Sequence, residues 1–285
     1  MAKLDSDREK THRSYAMGLH DEPLGNRTNR VFFRAEEGTE LVYPGSLKVD
    51  FDRRAEFDAA PMAIREVNRK IRKLMEAGYG HVVVRNPNAK HSLGSGILNR
   101  LRLDFDGSLG YFAVGLIDGP NVRISGRVGW SCAENMMAGT VVVEKNAGSS
   151  FGAALRGGDL VCMGDVGGRT GINMKGGTIL VAGRTGMLSG FMMQRGRMIV
   201  LGDADENLGD SMYDGTIYVG GRIKSLGVDA VRAELTYLEV AWLNRKLELY
   251  GLDAPDGAGN LKKVVAGRQL WNYDNLEPAE KKIVL

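Results

Sequence analysis

Chemistry in this 285-residue chain would have to begin with two cysteines, four histidines and a set of glycine-rich loops. Cys132 and Cys162 cannot supply the four ligands of a structural zinc or iron–sulfur site. Cys162 falls at an inward strand position and reads as a small core residue, although spacing alone leaves one disulfide open. His91, within His91-Ser92-Leu93-Gly94-Ser95-Gly96, and Glu134 are the candidates for acid–base work. Neither has a paired carboxylate or a His/Cys/Ser partner at an informative spacing, so an enzyme reading has no constellation to rest on. The glycine loop after His91 lacks the lysine and following serine or threonine that close a phosphate loop. Gly164 to Gly171 and Gly183 to Gly190 look faintly like dinucleotide loops. That fingerprint needs a helix after its turn, whereas here strand follows strand, and the reading is rejected. The sequence thus assigns no catalytic, cofactor-binding or metal-binding residue.

What positions these residues is an internal repeat from Pro120 to about Lys224. Gly139, Gly158, Gly177, Gly196 and Gly215 fall nineteen residues apart, with Pro120 in the same place one period earlier. Six places on, the column reads Gly126, Lys145, Gly164, Gly183, Gly202 and Gly221; sixteen on, it reads Met136, Leu155, Met174, Met193 and Met212. Each opening glycine is followed by residues of strand type, such as Val141-Val142-Val143 and Ile179-Leu180-Val181. Alternation puts Val141 with Val143, and Ile179 with Val181, on one face. Nineteen residues cannot bury that face alone, but stacked coils can, at about 4.8 Å per layer. The recurring glycines read as corners where the chain needs positive φ. The expected fold is mainly β: a single-stranded, right-handed β-helix with coils of about nineteen residues, flanked by an N-terminal α/β cap and a C-terminal helix with an extended tail.

One column bears on function. Val142, Val161, Leu180, Ile199 and Tyr218 lie between the inward positions and should face outward, after Arg123 one coil earlier. An apolar outer ladder needs cover, from the chain's own helices or from another protein. With the aromatic tail residues Leu270, Trp271 and Tyr273, these five are the candidate partner interface.

The remaining chain divides into an N-terminal arm (1–30), an α/β cap with irregular first coils (31–118), the glycine-repeat β-helix (119–228), and a C-terminal helix with a partner-docking tail (229–285). Val31-Phe32-Phe33 and Leu47-Lys48-Val49-Asp50 read as strands. Ile64, Val67, Ile71, Leu74 and Met75 repeat at helical spacing, and Arg65, Arg69, Lys70, Arg72 and Lys73 form the opposite face, read as solvated. Val231, Leu235, Leu238, Trp242 and Leu249 trace a helix from about Asp229 to Tyr250, placed to cap the last coil. Lys262 to Asp274 shows no period and reads as an extended arm lying in a groove. A net charge of +3 without basic clustering argues against nucleic acid. The start of the chain carries no apolar signal region and no run of eighteen apolar residues occurs, so a cytoplasmic chain with no membrane partner is expected.

Gly126-Arg127-Val128-Gly129-Trp130, Gly157-Gly158-Asp159-Leu160-Val161, Gly190-Phe191-Met192-Met193-Gln194 and Leu208-Gly209-Asp210-Ser211-Met212-Tyr213 resemble the glycine-repeat domain at the C-terminus of the large subunit of glutamate synthase. The chain as a whole resembles the stand-alone subunit built on that domain in split glutamate-synthase-like complexes, including N-methylglutamate synthase. A related repeat occurs in the C subunit of formylmethanofuran dehydrogenase. The resemblance implies a non-catalytic scaffold. Its partners would be a class II glutaminase-like subunit and an FMN-binding synthase subunit with an iron–sulfur cluster, held around an ammonia or amine passage. The family's glutaminase uses an N-terminal cysteine, but this chain begins Met1-Ala2-Lys3, and no catalytic residue carries over. Two other classes remain open: an enzyme in its own right near His91 or Glu134, and a self-associating structural β-helix.

Overall fold

A computed structural model describes residues 47–267, and the structural statements below concern these residues. Nine strands run parallel in chain order: β1 (Asp50–Asp58), β2 (Tyr79–Arg85), β3 (Arg102–Asp106), β4 (Asp118–Ile124), β5 (Ala138–Val143), β6 (Asp159–Cys162), β7 (Lys175–Val181), β8 (Arg195–Val200) and β9 (Thr216–Val219). Helix α1 (Ile64–Glu76) joins β1 to β2. From β3 onward the register is that of the repeat: Asn121 pairs with Thr140, Thr140 with Asp159, Asp159 with Thr178, and Thr178 with Arg197. The β-helix expected from the sequence is the fold found. It begins earlier than the glycine columns announce, because β2 pairs with β3 through His81 and Arg102, a coil two residues longer.

The core is a set of ladders along the axis. Val122, Val141, Leu160, Ile179, Met198 and Ile217 stack in register and are buried. Met136, Leu155, Met174, Met193 and Met212 form a second buried column, where flexible thioethers fill the interior between coils. A third ladder of single bridges runs Leu109, Val128, Ala147, Val166, Thr185, Ala204, Ile223.

The glycine columns have two causes rather than the single one expected. The opening column is left-handed, as at Gly139 with φ +106°. Its counterpart one coil earlier is Gly119 (φ +100°), not Pro120, because Asp118 pairs with Ala138 while Asn121 pairs with Thr140, so β4 takes in an extra residue. The column six places on has ordinary φ. There a Cβ would collide with the coil beneath, as at Gly183 against the Asp165 carboxylate and the Gly164 backbone. Corners explain one column and coil-to-coil contact the other.

Among the described residues the stack ends in two different edge strands, β1 and a pair added beyond β9. β1 carries Asp50, Asp52, Arg53, Arg54, Glu56 and Asp58, charges that discourage edge pairing. At the other end β11 (Lys262–Ala266) pairs antiparallel with β9, and β10 (Ala230–Ala233) pairs antiparallel with β11. These two strands correct the sequence reading. Residues from Asp229 were expected to be helical, and Lys262 onward an arm in a groove; instead they satisfy the open edge of β9. Helix α2 (Tyr237–Leu249) is shorter than expected. Thr236 caps it, its hydroxyl accepting from the Glu239 N–H at 3.3 Å and the Glu239 carboxylate reaching back to the Thr236 N–H at 2.8 Å.

Candidate functional site

The outer column of the sheet reads Asp104, Arg123, Val142, Val161, Leu180, Ile199 and Tyr218. Val161, Leu180, Ile199 and Tyr218 are wholly buried, and their cover is the chain's own. Trp242, Leu243 and Leu247 of α2, with Ala258 and Leu261 beyond it, form one apolar cluster with them, and Val142 is half-buried at its margin. Of the two covers the sequence left open, the chain's own helix is the one found over Val161, Leu180, Ile199 and Tyr218. The helix reaches them because its contact face is Trp242, Leu243, Lys246 and Leu247, whereas Leu238 and Leu249, expected on that face, are 71% and 55% exposed. The helix therefore lies along the side of the stack and does not cap its end. Leu270, Trp271 and Tyr273 lie outside the described residues, as do Val31-Phe32-Phe33.

Beneath α2 sits a buried ion pair that sequence reasoning missed. Lys246 Nζ donates to Asp159 Oδ2 at 3.0 Å, and the Tyr250 hydroxyl donates to the same oxygen at 2.7 Å. Both charged side chains are 1% exposed. Two buried charges are tolerable only because each compensates the other. Asp159 Oδ1 and the hydroxyls of Thr140 and Thr178, one coil to either side, have no hydrogen-bond partner among the described residues. One signal was available: Lys246 interrupts an apolar helical stripe, and a lysine there needs a buried carboxylate opposite it.

Nearer the end of the stack, the Tyr218 hydroxyl donates to Glu239 Oε1 at 2.9 Å and Lys263 Nζ donates to Glu239 Oε2 at 3.0 Å. Partial burial pushes the Glu239 carboxyl up, but Lys263, the Thr236 N–H and hydroxyl, and Tyr218 outweigh it and bring it down to about 2. Burial, followed by the hydrogen bond and charge of Glu239, pushes the Tyr218 phenol up. The Arg197 guanidinium lies over the Trp242 ring, 4.3 Å from its centroid. These contacts fasten α2 to the stack and bring no reactive groups together.

The acid–base candidates His91 and Glu134 are not brought together with a reactive partner by the contacts seen among the described residues. His91 Nδ1 accepts the Tyr111 N–H at 2.9 Å, and its ring stacks on Tyr111 at 4.7 Å. The Glu134 backbone oxygen accepts the Leu116 N–H at 2.8 Å, an ordinary coil-to-coil bond. Cys132 and Cys162 are both free and buried, so the disulfide left open is not formed. Burial, with the neighbouring Cys162 adding to it, pushes the Cys132 thiol up. Burial likewise brings the Cys162 thiol up to about 11, against hydrogen bonds from the Gly164 and Ala147 backbone. Two buried, protonated thiols do not fit the ligand set of an iron–sulfur cluster. Among the described residues no group of three or more His, Cys, Asp or Glu is placed to hold a metal ion. Among them, too, no helix is long and apolar enough to cross a membrane.

Exposed apolar side chains also cluster toward the other end of the stack. Leu98, Tyr111, Phe112, Leu116 and Trp130 are 44–59% exposed on one flank of the early coils. The basic residues of α1, namely Arg65, Arg69, Lys70, Arg72 and Lys73, are exposed beside them, while Val67, Ile71 and Met75 are buried against the stack.

No family model matches the sequence. Over 87 residues it is 38% identical to Protein GlxC of Rhizobium meliloti (strain 1021), a match that takes in 30% of this chain and 38% of that relative. The chain thus spans well under half the length of the curated relative it matches.

Proposed function

We propose that the chain is a non-catalytic scaffold subunit of a multisubunit glutamate-synthase-like complex. The observation that carries this is the repeat: a β-helix in strict nineteen-residue register, built on the same glycine motifs that resemble the glutamate synthase repeat domain. The short match to GlxC is compatible with the reading, and it bears on neither substrate nor partners. The outer apolar ladder, covered by α2, no longer argues for a partner.

Within this reading the chain holds a class II glutaminase-like subunit against a synthase subunit bearing FMN and an iron–sulfur cluster. A nitrogen nucleophile released at one site must reach the second before dilution, and fixed spacing raises its effective concentration. A rod whose coils are hydrogen-bonded at every layer holds such spacing better than flexible loops do. The preferred complex is N-methylglutamate synthase, converting methylamine and glutamate to N-methylglutamate and ammonia, with this chain bordering the amine passage. The alternative within the same class is a glutamine-dependent glutamate synthase.

The experiment is native purification of the tagged chain, with mass spectrometry and an absorption spectrum of the eluate. Stoichiometric recovery of a chain with an N-terminal cysteine and a yellow-brown flavin and iron–sulfur chain is the expected outcome. Turnover with methylamine and glutamate, against glutamine and 2-oxoglutarate, then separates the two complexes. A colourless homo-oligomer would overturn the reading in favour of a self-associating β-helix. Formylmethanofuran dehydrogenase subunits in the eluate would redirect it to that enzyme.

A further inference from the structure

The early-coil flank differs from the same flank further along the rod. His91, Tyr111 and Trp130 stack in one column, with ring centroids 4.7 and 5.5 Å apart. The next coils carry Ser149 and Gly168 at that place. Phe112 and Leu116 are 52% and 56% exposed, and both are left-handed, with φ +58° and +55°. Their N–H groups donate to Trp130 O and Glu134 O. The same bonds one, two and three coils on are made by Ser131, Ser150 and Arg169 in the first column, and by Asn135, Ala154 and Asn173 in the second. The fold therefore requires left-handed backbone there and accepts small or polar residues. Four coils on, Leu188 (φ +57°) and Met192 (φ +53°) hold the same two places but are half-buried, whereas Phe112 and Leu116 are both strained and exposed.

The helix beside the patch is mainly basic, while Glu134, half-buried in the neighbouring coil, is an acid of the stack next to Leu116. Asn68 of α1 donates to the Ser92 carbonyl and accepts the Gly94 N–H, both at 2.9 Å, which seats the helix on the coil just before Phe112 and Leu116. Ser92 and Gly96 in turn bond to the carbonyls of Tyr111 and Gly115. The Arg72 guanidinium lies beside Gly96, with Arg65, Arg69 and Lys73 exposed on the same helix. Of the helix's two acids, Glu66 is engaged by the Ala63 N–H at the helix's own start, and Glu76 is at its far end.

We propose that this flank is a docking face for a protein partner. The partner presents an apolar segment to Tyr111, Phe112, Leu116 and Trp130, with Asp or Glu side chains directed at α1. The rings are already ordered by stacking, so docking costs little side-chain entropy, and a buried Trp and Tyr with an arginine rim is the composition of an interface hot spot. The cations contribute register and encounter rate and make the contact salt-sensitive. The proposal shares with the scaffold reading only the premise that the chain works bound to another protein.

The test places a photo-cross-linking amino acid at Leu116 in the full chain, purifies the native complex and sequences the adduct. The expected adduct is to a second protein, at an apolar segment with carboxylates within a few residues. Trp130→Ser and the double variant Arg69→Glu/Arg72→Glu should each weaken that complex by about tenfold or more. The unfolding midpoint of the isolated chain should stay unchanged, which separates lost docking from lost folding. An adduct within residues 1–46 or 268–285 of the same chain would overturn the proposal. So would an adduct to a second copy, or no adduct. The two readings fail separately. A cross-linked partner in a complex without flavin overturns the scaffold assignment and leaves the docking face. A flavin-bearing complex with no adduct at Leu116 does the reverse.

Discussion

Along one outer column of the sheet, β3 and β4 present Asp104 and Arg123, while β6 to β9 present Val161, Leu180, Ile199 and Tyr218. The register and the inward ladder behind them are the same in both halves. The first half is solvated through a mesh of polar contacts: His81 hydrogen-bonded to Asp104 at 2.7 Å, and ion pairs of Arg102 with Asp104 at 3.5 Å, Arg123 with Glu144, and Arg85 with Glu56. The second half is dry beneath α2 and holds the buried pair Lys246–Asp159. One repeat thus carries two surfaces. The difference comes from what covers each coil, since the inward packing is common to both.

The largest effect that would break this comparison is Lys246→Ala. It strands the Asp159 carboxylate in an apolar interface and should cost about 3–5 kcal/mol in urea unfolding. Proteolysis between β10 and α2 should appear well before the coils unfold. Replacing the pair together by Lys246→Met and Asp159→Leu should recover most of that loss, because the uncompensated charge is gone. Leu180→Ala follows, at about 3 kcal/mol, since it removes a wholly buried side chain from the same interface.

A pH change sharpens the contrast. The Glu239 carboxyl is held down at about 2, below its ordinary 4.5, so its contribution is fully present above the ordinary value and is lost as pH falls from about 4.5 through about 2. Amide exchange at pH 3 against pH 7 should loosen α2 and β11 before the inward ladders β4 to β8. The smallest effect is at the solvated end of the column. Arg123→Ala should cost less than about 1 kcal/mol, because its pair with Glu144 is largely exposed and screened by salt. An Arg123 effect as large as that of Leu180 would mean the two halves are not different in kind.

Legibility in the sequence followed locality. The inward strands, the methionine column and the nineteen-residue register could be read because a stacked coil repeats one environment at each layer. The α1 helix was likewise readable from its own apolar spacing. The edge-closing strands β10 and β11 were not, because Val231 and Lys263 become strand residues only by pairing with one another's neighbours and with β9. Nor was the docking of α2, since Asp159 and Lys246 lie 87 residues apart and neither declares its partner. The flank of Tyr111, Phe112 and Trp130 was visible as residues but not as a surface. Nothing local says that alternation there has become a left-handed turn that points Phe112 outward.

By itself the sequence determined the β-helix: glycines spaced by nineteen, with Val, Ile, Leu and Met between them, leave no other way to bury every layer. The tertiary structure alone decided which outer faces stay wet. That choice depends on where a helix far along the chain lands and whether a buried lysine finds its carboxylate there. Spacing within a repeat cannot encode an outcome that depends on a segment outside it.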